Sequence, residues 1–439
     1  MRSLRSEPLQ GDARRSGTVL VMFTVCLIAI MGLLALVIDG GLLQAERIRV
    51  QAVADAAALA GARQLYQNYS TSNGKDASGS AAKDALAIAA DNGYANDGTN
   101  SNVVVNIPPA SGQYAGLAGY VEVLITSRQD RCFSNVWSSD LAYVRARAVA
   151  RGAWVPFNAS IISLDEGDKG AVSVQGNGGI TTSGAPVYIN SKSSSALLVS
   201  GNGAVSVPEL NITGNYSGGG ITGTIKTGVH PTPDPFAYLP APGDPNGPSI
   251  PSGASVIRTS LGGGKYQNDL YPGSYSNLPA FGGNDTVIFH QASSNSNGGI
   301  FYLSSGGLNC QGNVQLRMAP GETGGIMIYN AGTGGSDTIN ISGNGSDSLS
   351  HRTDGPYTGM VLFQSRTSTG DVSLVGNGSF NLAGTIYTPA ARINVTGNGS
   401  ARLGSQWIVR ELYLAGNGSI NITYSASTIA RTRIIAIME

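Results

Sequence analysis

From Thr18 to Ile38 the chain reads TVLVMFTVCLIAIMGLLALVI, 21 residues without a charge. At about 1.5 Å per residue this run spans the ~30 Å hydrocarbon core of a bilayer as a single helix. It shows no polar face at three-to-four-residue spacing, as a helix buried in a soluble core would. The pattern then changes. Gln44 to Tyr66, QAERIRVQAVADAAALAGARQLY, is rich in Ala and free of Pro, and Leu42, Val50, Val53, Ala57 and Ala60 recur at helical spacing. The apolar helix is therefore predicted to continue into an extension outside the membrane. A second helix is predicted around Ala81 to Ala90, AAKDALAIAA.

After about residue 156 helical periodicity gives way to short alternating runs separated by Gly and Asn. Six Gly-Asn-Gly triplets begin at Gly176, Gly201, Gly343, Gly376, Gly397 and Gly416, the last three 21 and 19 residues apart. Between them lie SFNLAGTIYTP, ARINVT, QWIVRELYLA and SINITYS. Strands with turns at ~20-residue spacing predict a solenoid with one coil per repeat, and a right-handed parallel β-helix fits this composition. Its corners need residues that tolerate left-handed dihedrals, which Gly and Asn do. Asn side chains stacked on successive coils can also hydrogen-bond along the axis. The repeat is irregular before Gly343, so a jelly-roll or β-sandwich of short strands stands as the alternative. His230 to Pro251, HPTPDPFAYLPAPGDPNGPSIP, cannot be regular strand because Pro lacks the ladder donor, and is predicted to be an excursion across one face.

Composition supports this division. Charged residues are 12% of the 439 and Gly supplies 61 of them, about half and twice the usual shares. The formal net charge is zero, which gives the chain no electrostatic attraction to nucleic acid. Of the cysteines, Cys26 sits in the apolar run; a Cys132–Cys310 bridge would join two compositionally different regions, and no disulfide framework is implied.

The apolar run reads as an uncleaved anchor. It is longer than the ~7–15-residue core of a signal peptide, and Asp39, Glu46, Arg47 and Arg49 separate it from the nearest Ala-x-Ala stretch, Ala58-Leu59-Ala60. A type IV prepilin leader would need a Gly at the cut and a Glu five residues on; the fifth residue after Gly17 is Met22. Arg2, Arg5, Arg14 and Arg15 precede the span against Arg47 and Arg49 after it, which places the N-terminus in the cytoplasm and the rest outside.

The apolar span, the following Asp39-Gly40-Gly41 and above all VADAAALAGA (Val53 to Ala62) resemble the N-terminal domain of TadE/TadG-like proteins of bacterial Tad (tight adherence) Flp-pilus systems. GYVEVLITSRQDRCFSNVWSSDLAYVRARAVARG, Gly119 to Gly152, extends the resemblance over about the first 155 residues, with Cys132-Phe133 in place of the family's usual aromatic pair. The resemblance implies a membrane-anchored component of a pilus or adhesion apparatus, with the lipid bilayer and other pilus-assembly or envelope proteins as partners. Some TadG-like proteins carry a metal-dependent adhesion domain that needs Asp-x-Ser-x-Ser; the nearest string, Asp347-Ser348-Leu349-Ser350, has Leu where Ser is required. GTIYTPAARINVTGNG, Gly384 to Gly399, more loosely resembles rungs of β-helical pilus-associated proteins.

The chemistry-bearing residues are sparse. Asp337, Asp347, Asp354 and Asp371 are the candidates for a paired-carboxylate glycan hydrolase, and read better as turn aspartates. Asp165, Glu166 and Asp168 in LDEGDKG could bind Ca²⁺, but Lys169 and the shortage of further ligands favour a solvated turn. His230, His290 and His351 form no metal spacing. Gly218, Gly220 and Gly223 make a Gly-x-Gly-x-x-Gly without a following helix, and Gly264-Lys265 continues into Tyr266, so it is no P-loop. Asn-x-Ser/Thr strings at Asn211, Asn340, Asn377, Asn398 and Asn417 follow from the turn motif.

The expectation is thus an α+β chain: 1–17 a cytoplasmic basic segment, 18–38 a transmembrane helix, 39–155 an extracytoplasmic α+β module, and 156–430 a Gly/Asn-rich β-helix with its Pro-rich excursion at 230–251. No catalytic, cofactor-binding or metal-binding residue is assigned. The expected function is non-catalytic display in pilus assembly or adhesion. A pilin-like subunit and a β-helix enzyme acting on surface polysaccharide are the alternatives.

Overall fold

The computed structural model describes residues 16–131, 133, 135, 140–291, 299–402 and 404–439. The basic residues Arg2, Arg5, Arg14 and Arg15, and Cys132, lie outside the described residues. One helix, Ser16–Gln67, runs through the apolar span and the Ala-rich extension without a break. Among the described residues it is the one helix long and apolar enough to cross a membrane. Its two halves differ in what they touch. The side chains of Val19 to Val37 are exposed except at a few positions, whereas Val50, Ala54, Ala57, Ala58, Ala62 and Leu65 are buried. That second set recurs every three or four residues and so lies along one face.

This buried face packs with the helix Ser80–Asp91, through Ala81, Ala85 and Ala89, onto an antiparallel sheet. The sheet orders the strands Ser101–Asn106, Tyr120–Gln129, Ala142–Pro156 and Arg431–Ile437 side by side. Period-two alternation turns Val103, Val121, Val123, Ile125, Ala146, Ala148 and Ala150 toward the helices. Small residues on both sides let backbones approach closely. A Cβ on Gly152 would lie 1.8 Å from the Ala62 carbonyl oxygen, so this crossing requires glycine.

The fourth strand belongs to the far end of the chain. Val149 N–H donates to the Glu439 carbonyl at 2.8 Å, and Met438 N–H returns a bond to Val149 at 2.8 Å. The chain thus divides into one compact unit of residues 1–153 with Ile434–Glu439, and a second of Trp154–Arg433. The second unit is inserted between two neighbouring strands of the first, a connectivity that composition alone does not reveal.

The second unit is mostly β, built on a large and mainly parallel sheet; the hairpin Ser255–Gly262 with Lys265–Tyr271 is its antiparallel pair among the described residues. The strands line up in three ladders that the chain visits in turn. One ladder stacks Ile328 on Leu362, Ile386 on Trp407, Trp407 on Ile161 and Ile161 on Val187. The next runs Leu308, Ile339, Val372, Ile393, Leu412, Val172, Leu197, every one buried. The third carries Ile420, Ile180 and Val205 in register. Successive inward Ile, Leu and Val side chains therefore sit on one another and form a continuous core.

The stacking order is not the chain order. The first strands, Ile161 to Ser183, pair on one side with the last, Gln406 to Thr423, and on the other with the strands from Val187. From there the chain climbs to one end at Ile221–Thr227. It restarts at the opposite end with Lys265–Tyr271 and stacks back until it meets its own beginning. The Pro-rich stretch makes this return. Asn190 exchanges two 2.8 Å bonds with Thr232, Tyr387 Oη donates to Asp234 at 2.7 Å, and Tyr357 Oη donates to the Pro240 carbonyl at 2.7 Å. Phe236 and Leu239 are buried among Met327, Tyr329, Met360 and Phe363. A strap held by side chains needs no ladder donors, so its prolines carry no hydrogen-bonding penalty.

Candidate functional site

The most regular polar feature lies on the Gly-Asn-Gly turns. Asn202 Nδ2 donates to Asn177 at 3.0 Å, Asn177 to Asn417 at 2.7 Å, Asn417 to Asn398 at 2.8 Å and Asn398 to Asn377 at 3.0 Å. Asn177, Asn417 and Asn398 each give one hydrogen to the neighbour on one side and accept one from the neighbour on the other, in an exposed file of like side chains. Farther along, where the triplet is missing, Asn313 still donates to Asn284 at 3.0 Å. The flanking glycines make the file possible. Gly376 has φ +135°, and a Cβ there would meet the Gly343 carbonyl oxygen at 1.8 Å.

The candidate acids are otherwise engaged. Asp165 and Asp168 do come together, joined not by Glu166 but by Glu411 from the last coil. Arg410 donates to Asp165 at 3.2 Å and Asp168 at 3.1 Å and contacts Glu411 at 3.2 Å, while Arg392 pairs with Glu411. Burial disfavours the Asp165 carboxylate, yet the Asp168 and Gly167 N–H groups and the Arg410 guanidinium hold its pKa below the usual range. The centre of the cluster is occupied by guanidinium charge. Glu166 points elsewhere, to Lys192 at 3.0 Å.

Of the four aspartates considered for glycan hydrolysis, each has a separate structural partner. Asp337 accepts from Gly306 and Gly334 N–H, Asp347 from Leu316 N–H, Asp354 from Arg352, and Asp371 from Asn394. Asp347 is buried, and desolvation, only partly offset by the Leu316 N–H, pushes its pKa up to about 6. Burial, with Asp347 nearby, pushes the Cys310 thiol far up; this cysteine is free.

The histidines do not converge. His290 instead lies between Asp269, at 2.8 Å from Nε2, and Glu322, at 3.3 Å from Nδ1, with its ring stacked on Tyr271 at 4.5 Å. Sequence spacing gives no sign of this cluster, because its members come from three different coils. The Gly218–Gly223 pattern leads into a strand, Ile221–Thr227, and Gly264-Lys265 sits at a hairpin turn.

Residues 17–64 match the model of the Tad family, described as Flp pilus-assembly TadE/G-like. Over these residues the N-terminal helix is similar to TadE/G-like pilus-assembly proteins. The match ends inside that helix, short of the sheet to which the sequence resemblance extends. Among solved structures, the competence-associated pilin ComZ from Thermus thermophilus is similar at 11% identity and a TM-score of 0.33, over 78% of this chain and 87% of that one. Curated proteins return no match.

Within the TadE/G-like segment, the exposed apolar half and the packed half meet at Asp39. This aspartate is buried and accepts the Phe133 backbone N–H at 3.1 Å, tying the loop after strand Tyr120–Gln129 to the helix. One turn or two farther on, Glu46 accepts from Tyr94 Oη at 2.8 Å and Ser127 Oγ at 3.0 Å. Both acids serve to fasten the segment to its own sheet.

Proposed function

We propose that this chain is a membrane-anchored, non-catalytic component of Tad/Flp pilus assembly or surface adhesion, which displays a β-helical scaffold outside the cytoplasm. The observation that carries the reading is the TadE/G-like segment at residues 17–64, which begins at the one described helix suited to cross a bilayer. Excess Arg before that helix favours a cytoplasmic N-terminus and an extracytoplasmic remainder.

The display part of the reading draws on the second unit. Three parallel ladders, visited in order, with small turn residues and a file of asparagines, are what a right-handed parallel β-helix would present. Such a stack is a stiff, weakly charged spacer that offers surface along its whole length. The non-catalytic part draws on the acids, which hold turns or pair with arginines. The expected partners are lipid, through the helix, and other pilus-assembly or envelope proteins.

Deletion of the gene in its native host tests the role. Loss of Flp-type pili or of surface attachment, restored by the full chain but not by a chain whose apolar run 18–38 is interrupted by Leu27→Arg and Leu33→Arg, is the expected result. Normal piliation and attachment in the deletion strain would reject it.

A further inference from the structure

At the base of the first unit, a groove of about 530 Å³ separates the helix from the ends of two strands. Its lining mixes apolar and charged side chains. Leu36, Leu42 and Leu43 form one side and continue the exposed apolar surface of the helix. Arg49 and Arg131 also line it, with Asp39, Glu46 and Asp130.

The charges in the groove are unevenly used. Asp39 accepts from Phe133 N–H, Glu46 accepts from Tyr94 and Ser127, and Asp130 faces Arg128 at 3.6 Å. Among the described residues neither arginine pairs with a carboxylate: Arg49 lies over the Tyr94 ring, and the Arg131 Nε is buried without a hydrogen-bond partner. A buried guanidinium N–H without an acceptor is costly, and an anionic oxygen would satisfy it.

We propose that this groove seats one phospholipid of the adjoining leaflet, its acyl chain against Leu36, Leu42 and Leu43 and its phosphate against Arg131 and Arg49. The inference rests on Thr18–Ile38 crossing the bilayer. That span ends one residue before Asp39, so the groove opens where the hydrocarbon gives way to headgroups. The apolar side is continuous with the bilayer-facing helix; Arg131, two residues before the Phe133 whose N–H bonds Asp39, stands beside the end of the span, and Arg49 follows about two turns beyond Leu42 on the helix. Phe133, half exposed in the loop tied to Asp39, sits at the same level as an amphipathic interface would favour.

The test uses the full chain, purified in a neutral detergent and supplied with palmitoyl-oleoyl phosphatidylglycerol, with bound lipid counted by native mass spectrometry. One lipid retained by the wild type and at least about tenfold less by the Arg49→Gln/Arg131→Gln double variant is expected, the loss matching one or two charge-assisted bonds. Arg131→Lys in the Arg49 background should keep most of the retention, and Arg145→Gln, on the exposed sheet face, should keep all of it. In parallel, a fluorophore on Cys26 in nanodiscs reports the anchor through quenching by acyl-brominated lipid. Quenching at Cys26 with equal lipid retention by the wild type and the double variant overturns the site while leaving the anchor. Absence of quenching at Cys26 removes the anchor itself. Loss of lipid equally in Arg145→Gln and the double variant would overturn the site as non-specific charge binding.

Discussion

Asn177 donates its side-chain amide to the Oδ1 of Asn417 at 2.7 Å, although 240 positions of chain separate them. The bond joins the first strands of the second unit to its last. The end of the stack is thus buried against its beginning, and the free ends lie elsewhere, at Ile221–Thr227 and at the hairpin from Ser255.

Asn417 stands in the middle of the file, giving one bond and receiving another. Asn417→Ala should therefore lower stability by about 1–2 kcal/mol, two exposed amide bonds at the modest net value of each. Gly376→Ala, two steps away along the stack, should cost more, about 2–4 kcal/mol, because its φ of +135° and the Gly343 carbonyl leave a Cβ no place. Thermal unfolding of the three proteins checks the order.

One residue holds the Pro-rich strap at three places. Arg366 donates to the Tyr387 hydroxyl at 3.0 Å and to the carbonyls of Phe236 and Leu239. Arg366→Ala should free the strap, making bonds between His230 and Pro251 the first sites cut in limited proteolysis, with a stability loss of about 2–3 kcal/mol. Arg366→Lys should rescue little, since one ammonium cannot reproduce the planar fork. Unchanged cleavage in Arg366→Ala would show that Phe236 and Leu239 alone hold the strap.

Much of this fold was legible from local signals and some could not be. The apolar run announces its helix because 21 uncharged residues leave few other structures open, and the Gly-Asn-Gly triplets announce turns because their dihedrals are a local matter. The pairing of asparagines across coils follows from the same repeat. What the sequence hides is order. Nothing in ISGNG or LVGNG says which coil lies beside which, so the closure of Gln406 to Thr423 onto Ile161 to Ser183 had no local sign. The acidic cluster shows the same limit: Asp165 and Asp168 are neighbours in sequence, but Arg410 and Glu411 reach them only through that closure. The terminal strand Arg431–Ile437 reads as an ordinary apolar tail until it is seen beside Val149.

Two buried carboxylates should respond to pH in opposite directions. Asp347 has its pKa raised to about 6 in the folded state, so the native protein binds the extra proton and stability falls as pH rises from about 4 to about 6. The full effect is at most ~3 kcal/mol for a shift of this size. Asp347→Asn, which keeps an acceptor for the Leu316 N–H, should be more stable than wild type at pH 7 and equal to it near pH 4, by denaturant titration of the second unit.

Glu122 is the reverse case. Burial pushes its pKa up, but bonds from Asn106, the Ala110 N–H, Arg147 and Ser111 overcome this and hold it at about 2. Its contribution is present above about pH 4.5 and is lost as the pH falls toward 2. Glu122→Gln leaves Arg147 facing only Glu439 and should destabilise the first unit by about 3 kcal/mol at pH 7. Hydrogen exchange over residues 101–151 should accelerate while the ladders of the second unit stay protected; equal acceleration in both units would contradict a local role.

The proposed arrangement is an anchored chain that carries its β-rich unit outside the cytoplasm. The most direct measurement is the mature N-terminus of the native protein, together with protease access from outside intact spheroplasts. An intact N-terminus in the membrane fraction and digestion of residues 154–433 from the outer side are expected. A new N-terminus near Thr18 in sheared surface material, or a second unit reachable only after lysis, would contradict it.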